Sequence, residues 1–261
     1  MNFKQGHTIL IPLFLIFTFL IAQDADSSKM KVQADSLYQL GKQLQKAGKG
    51  VEALPNLDTA LSIYRQLDLK KEIGIALNRI GLAYGQNLGD WPRAEKQWLE
   101  ALEVRVGMGD KKGTANVSNN LAIAYANMGR YSKAEKYYKH SLEFRREIMD
   151  TLRVSAILKN IGLLKLKQDM FYEAEEQLTE SLALADRINN EQLRGEIINN
   201  LGLLAYSRGL YGDAHRNYTE ALNILGDRIG TKNRAEIMNN LGTVYRAYGD
   251  TVSAIIHYFK S

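Results

Sequence analysis

The 261-residue chain has no cysteine and only three prolines. The missing cysteine excludes disulfides, thiolate metal sites, a cysteine nucleophile and a lipid-modified N-terminal cysteine. It does not exclude an oxidising compartment, because a helical array with a continuous core needs no staple. The scarcity of proline, together with abundant Leu, Ala, Lys and Glu, favours helix. No excess of one charge sign is present either: 34 basic and 29 acidic residues leave a formal charge of +5, and the two signs are interspersed. That balance gives no argument for nucleic-acid binding. Hydrophobic content of 45% and charged content of 24% are those of a globular protein with enough apolar side chains for a core.

Catalytic constellations are absent as well. The four histidines, His7, His140, His215 and His257, share no metal-ligand spacing and read as surface or packing residues. Gly41-Lys42 and Gly48-Lys49 lack the glycine spacing of a phosphate loop. Acidic groups such as Glu173, Glu175, Glu176 and Glu180 have the pattern of a solvated helix face. No nucleophile stands in a pattern with a base. The expectation is a chain with no catalytic residue, no metal and no cofactor, and so not an enzyme.

What is present begins with the first 25 residues. A short polar start carrying Lys4 is followed by Ile9 to Ala22, ILIPLFLIFTFLIA, without a charge. This is the layout of a secretory signal peptide. The apolar stretch is about 14 residues, against the ~20 that a spanning helix needs, and Pro12 weakens it further. Residues 1–22 are therefore expected to be an export signal cleaved after Ala22, the alternative being an uncleaved membrane anchor. The expected location is outside the cytoplasm, periplasmic or at the cell surface.

The rest of the chain repeats. A small residue follows Leu or Ile at Leu40-Gly41, Ile80-Gly81, Leu121-Ala122, Ile161-Gly162, Leu201-Gly202 and Leu241-Gly242, at steps of 40, 41, 40, 40 and 40. An alanine follows each at Ala53, Ala94, Ala134, Ala174, Ala214 and Ala254. The offset is 12 residues except in the second unit, where it is 13; one residue is inserted near Gln86 to Trp91. Four residues after each alanine stands a large side chain: Leu57, Trp98, Tyr138, Leu178, Tyr218 and Tyr258. Leu121, Ala122 and Tyr125 fall on one helical face, and Ala134, Tyr138 and Leu142 fall on one face of the next helix. Gly129 between them suits a helix C-terminus. Small residues let two antiparallel helices approach, and the large residue fills the space between them.

This pattern resembles the tetratricopeptide repeat family over residues 34–261. The family's Leu-Gly-x-x-Tyr followed by Ala-x-x-x-aromatic stands here as Leu241-Gly242-Thr243-Val244-Tyr245 with Ala254 and Tyr258, and as Ile80-Gly81-Leu82-Ala83-Tyr84 with Ala94 and Trp98. The period is longer than the family's 34 residues, as in the repeats of cargo- and peptide-binding scaffolds. The resemblance implies an all-α, right-handed superhelical solenoid of about six stacked antiparallel helix pairs. Two units depart from the pattern. In the first, Gly50 stands where an aromatic is usual, and Pro55 is expected to delay or kink the second helix, making this unit the least regular. In the fourth, Lys165 and Asp169 replace the usual tyrosine and glycine. The last repeat is incomplete, ending on Ala254, Ile255, Ile256, Tyr258 and Phe259, so fraying, self-association or a continuation is expected at that end.

One further column recurs. A polar residue precedes each Leu/Ile-small pair: Gln39, Arg79, Asn120, Asn160, Asn200 and Asn240. One position earlier stand Tyr38, Asn78, Asn119, Lys159, Asn199 and Asn239. In a 3.6-residue helix these lie off the buried stripe of the first helix of each pair. The resemblance implies that this helix lines a concave groove. Asn119, Asn120, Asn160, Asn199, Asn200, Asn239 and Asn240, with Arg79 and Lys159, are thus candidates to hold an extended peptide, since an amide both donates and accepts. The alternative is that the asparagines bond neighbouring helices and fix the repeat. Lys42, Arg79, Lys159, Lys167 and Arg246 suggest an acidic or polar peptide; Lys133, Lys136 and Lys139 suit an outer solvated stripe. The expected function is an exported protein–protein interaction scaffold with a protein or peptide partner and no nucleic acid. The alternative is the sensory part of a membrane-bound histidine kinase or transcription regulator whose output domain lies outside this chain. In either case attachment to a membrane could come from the N-terminal segment or from a part beyond the C-terminus.

Overall fold

The computed structural model describes residues 10–226, 231–250, 253, 254 and 256. Residues 1–9, which open the expected export segment, and most of the apolar run that ends the last repeat lie outside the described residues. The described backbone is all-helical: α1 (Leu10–Lys46), α2 (Gly50–Gln66), α3 (Lys70–Leu82), α4 (Trp91–Gly107), α5 (Lys111–Asn127), α6 (Tyr131–Glu147), α7 (Thr151–Leu166), α8 (Phe171–Arg187), α9 (Glu191–Ser207), α10 (Tyr211–Leu225) and α11 (Thr231–Ala247). Among the described residues no helix is long and apolar enough to cross a membrane. The chain forms two compact units, Met1–Ala124 and Tyr125–Ser261, and the division falls within α5.

The helices end at regular intervals for a local reason. Within the first unit Gly48, Asp68, Gly89 and Gly109 have positive φ; within the second so do Gly129, Met149, Asp169, Asn189, Gly209 and Gly249. A left-handed residue lets the next N–H reach back five residues and close the helix. Leu69 N–H donates to the Tyr64 carbonyl at 2.9 Å, and Asn190 N–H to that of Ala185 at 3.0 Å. Asp169, in the place of a glycine, and the fully side-chained Met149 at φ 55° do the same work. The following helix is then capped: Asp150 Oδ1 accepts from Arg153 N–H at 3.2 Å and Asn190 Oδ1 from Leu193 N–H at 2.9 Å.

The inserted residue takes the form of a π-helical turn, Ala83–Asn87, at the end of α3. The closing bond there spans six residues, from Asp90 N–H to the Tyr84 carbonyl at 2.9 Å, so the wider turn absorbs the extra residue and the register resumes. The turn also accounts for Gly50. A Cβ at Gly50 would lie 2.7 Å from the Asn87 Cβ and 3.2 Å from the Ala83 carbonyl oxygen, leaving no room for an aromatic ring. The irregular element therefore sits in the second pair, and α2 is regular. It starts at Gly50 and runs 17 residues with Pro55 inside it, so the expected delay does not occur. Both Pro55 and Val51, whose carbonyl loses its partner, are exposed, while Ala53, Leu57, Ala60 and Leu61 are buried and hold the helix in place.

Packing follows the small–large pairing. In the first unit Gly41 faces Leu57 and Gly81 faces Trp98; in the second Gly162 faces Leu178 and Gly202 faces Tyr218. A methyl group on Gly202 would come within 2.7 Å of the Tyr218 ring. The Trp98 indole N–H is satisfied by the Asn78 carbonyl at 3.2 Å. Where α7 meets α8, Ser155 Oγ donates to the Ser181 carbonyl at 2.8 Å and Ser181 Oγ to that of Ser155 at 2.7 Å. Such reciprocal bonds need closely approaching backbones. The α10 core residues Ala214, Tyr218, Ala221 and Leu225 pack with Ile198 and Ala205 of α9 and with Ile237, Leu241 and Val244 of α11. First helices of successive pairs also touch, α1 with α3, α7 with α9 and α9 with α11. That contact sets the polar columns of successive first helices side by side.

Candidate peptide-binding face

Spacings of three and four put Lys159, Asn160 and Leu163 on one face of α7, and Glu196, Asn199 and Asn200 on one face of α9. In the second unit these six line a cavity of about 190 Å³, closed by Leu225 of α10 and by Glu236 and Ile237 of α11. Four candidates are thus brought together: Lys159, Asn160, Asn199 and Asn200. Asn239 is exposed and Asn240 half-buried, and neither lines the cavity.

The Lys159 ammonium donates to Glu196 Oε2 at 2.5 Å, and Gln192 Nε2 donates to Glu196 Oε1 at 2.9 Å. Burial pushes the Glu196 carboxyl up, but the Lys159 charge and the two hydrogen bonds outweigh it and hold the group below its ordinary value. Asn200 is only 8% exposed, and among the described residues its side chain makes no hydrogen bond. The Asn199 Oδ1 is buried and has no partner among the described residues. A buried amide oxygen left in that condition costs about 1–3 kcal/mol.

The same columns behave differently in the first unit. Asn120 Nδ2 donates to Asn78 Oδ1 at 2.9 Å, joining α5 to α3. Arg79 Nη1 donates to Gln45 Oε1 at 2.9 Å, joining α3 to α1, and Gln45 is 5% exposed. Asn119 Oδ1 and Arg79 Nε are buried without a partner among the described residues. Of the other basic candidates Lys42 is half-buried, and Lys167 and Arg246 are exposed. Lys133, Lys136 and Lys139 are exposed on α6. The departure at Lys165 has a local use: its ammonium lies 3.0 Å from Glu135 Oε2, with Lys139 at 2.9 Å from Oε1. Hydrogen bonds from both lysines keep the Glu135 carboxyl low against the effect of burial.

Sequence reasoning missed Glu196 and Glu236. The available signal was their own 40-residue recurrence, one helical turn before Asn200 and Asn240, where the earlier units carry Ile75, Asn116 and Ala156. Of the histidines, His140 is exposed and His215 sits 2.9 Å from the Tyr245 hydroxyl, while His7 and His257 lie outside the described residues. Among the described residues no three His, Asp or Glu side chains are grouped to hold a metal ion.

The tetratricopeptide repeat family profile matches residues 72–147 and 153–227, more than half of the chain. The chain belongs to the tetratricopeptide repeat family. Comparison with curated protein sequences finds no significant match. Among solved structures, BtubC (BKLC) from P. vanneervenii is 22% identical with a TM-score of 0.62, over 88% of this chain and 89% of that one. The apo form of RapI is 16% identical with a TM-score of 0.74, over 88% and 81%. NprR, solved in complex with its cognate peptide NprX, is 15% identical with a TM-score of 0.70, over 87% and 65%. At these identities the likeness is one of fold.

Proposed function

We propose that this chain is a protein-interaction scaffold that holds an extended polypeptide segment against the first-helix face of its second unit, and that it works outside the cytoplasm. The observation that carries the binding role is the cavity shared by α7, α9 and α11, where among the described residues the Asn200 side chain makes no hydrogen bond and the buried Asn199 Oδ1 has no partner. A peptide backbone offers the donors and acceptors that such amides need. The fold shared with NprR, whose structure contains a peptide, supports the same reading. Export rests on the charge-free run that follows Lys4; N-terminal sequencing of the native protein should find Gln23 first, and Met1 on a cytosolic protein overturns it.

Display of a random peptide library against the full chain tests the binding role. Wild-type protein should enrich peptides whose affinity drops by about 1–3 kcal/mol, ten- to a hundredfold, in Asn160→Ala/Asn200→Ala. The melting temperature of the free protein should hold, because alanine is the better helix former. Equal affinity for both proteins removes the site, and a large drop in melting temperature makes the asparagines structural.

A further inference from the structure

The Asn199 Oδ1 and the two carboxylates around this cavity call for hydrogen-bond donors, while the Asn200 amide can both donate and accept. The Asn199 Oδ1 is a buried acceptor. The Glu196 carboxylate has taken one donor on each oxygen, from Lys159 and from Gln192, and a carboxylate can accept about four. Glu236 adds a second carboxylate at the same cavity. Lys159 is the one cation lining it, and Glu196 already neutralises it, so the lining carries one net negative charge and Lys159 does not by itself recruit an acidic segment. The remaining lining is Asn160 and Asn200 with the apolar Leu163, Leu225 and Ile237.

We propose that this cavity accepts the side chain of a basic residue in the bound segment, arginine in preference to lysine. The proposal rests on the peptide-binding reading above and adds the chemistry of the occupant. The aliphatic stem of a basic residue packs on Leu163, Leu225 and Ile237 while its head stays at the polar rim. A guanidinium brings five donors and no acceptor, in a planar fork that can reach a carboxylate and an amide oxygen together; an ammonium brings three. An acidic side chain would set a third carboxylate against Glu196 and Glu236. An apolar side chain would cover Asn199 Oδ1 without supplying a donor. Asn200, nine-tenths buried as a residue, makes no side-chain hydrogen bond among the described residues and so has an amide free to meet a ligand.

The test uses the full chain and four fluorescent nine-residue peptides of alternating serine and alanine, blocked at both ends. The central residue is arginine, lysine, norleucine or glutamate. Anisotropy should show the arginine peptide binding at least about tenfold more tightly than the norleucine and glutamate peptides. That margin should fall below about threefold in Glu236→Gln and again in Glu196→Gln. Glu236 is exposed and lies outside the Lys159 ion pair, so its variant keeps the test open if Glu196→Gln folds poorly. A norleucine or glutamate peptide that equals the arginine peptide overturns the proposal, as does a preference for arginine that survives both substitutions. If all four peptides bind alike and Asn160→Ala/Asn200→Ala weakens them together, the peptide-binding role stands and the basic preference falls. No binding of any of them at millimolar concentration removes both.

Discussion

The two units spend the same polar columns differently. In the first unit two bonds tie the column across neighbouring helices, Asn120 to Asn78 and Arg79 to Gln45, although Asn119 Oδ1 and Arg79 Nε stay unpartnered among the described residues. In the second unit the position equivalent to Asn78 is Lys159, which turns to Glu196 on the next first helix. Asn200, equivalent to Asn120, is then left without the partner that the first unit provides, and a cavity lies beside it. One exchange of asparagine for lysine, answered by a glutamate a turn before Asn200, separates a helix-to-helix bond from a surface that can receive something else. A residue type that recurs every 40 positions need not keep its role, because its role is decided by what the neighbouring helix presents.

The sharpest way to break this comparison is at the face of the first unit. Arg79→Ala should destabilise the protein by about 2 kcal/mol, since it strips a nearly buried Gln45 of its donor along with the packing of the Arg79 stem. Lys159→Ala should cost under about 1 kcal/mol, because Glu196 is about one-third exposed and can turn to water. Chemical denaturation reads both, and hydrogen exchange in α1 and α3 should report the first change alone. Equal costs would mean that the two faces are built alike.

A smaller effect is expected from the asparagines themselves. Asn120→Ala should cost about 1 kcal/mol by leaving Asn78 unpaired, whereas Asn160→Ala should stay within about 0.5 kcal/mol of wild type. Thermal unfolding of the two variants side by side is sufficient. A reversed order would assign the structural role to the second unit.

How much of this could be read beforehand differs from residue to residue. The 40-residue period was enough for the helix pairs and for the contacts of Gly41 with Leu57, Gly81 with Trp98, Gly162 with Leu178 and Gly202 with Tyr218, because those depend on side-chain size at a fixed helical spacing. The extra residue near Gln86 was visible as an offset; its form as a π-turn was not, since that depends on which carbonyl the chain reaches for. Pro55 misled, because a lost hydrogen bond on a solvated face weighs less than four buried side chains on the opposite one. For the candidate face, the pattern gathered Lys159, Asn160, Asn199 and Asn200, but it could not tell the bonded Asn120 from the unbonded Asn200. Both stand in identical Asn-Asn-Leu contexts, and only the side chain across the helix interface distinguishes them.

The smallest effect concerns acid. The Glu196 carboxyl is held below its unfolded value near 4.5, so its link to Lys159 contributes stability above that pH and loses it as the pH falls through the lower folded value. Urea midpoints compared at neutral pH and below pH 4 should therefore fall by slightly less in Glu196→Gln than in wild type. Identical falls would show that this ion pair adds nothing to the folded state.

The π-turn bears on how such a chain avoids assembling wrongly. Modules of nearly equal length and matching faces can stack out of order, or exchange between copies. Every second helix after the first begins on an aromatic within the described residues, namely Trp91, Tyr131, Phe171 and Tyr211. The first begins on a glycine, where the turn after α3 leaves no room for a side chain. The pair forms a key and its keyhole. A shuffled neighbour would drive a ring into Asn87 and Ala83, so the order of the modules at this end is written into their shapes as well as into their connection along the chain.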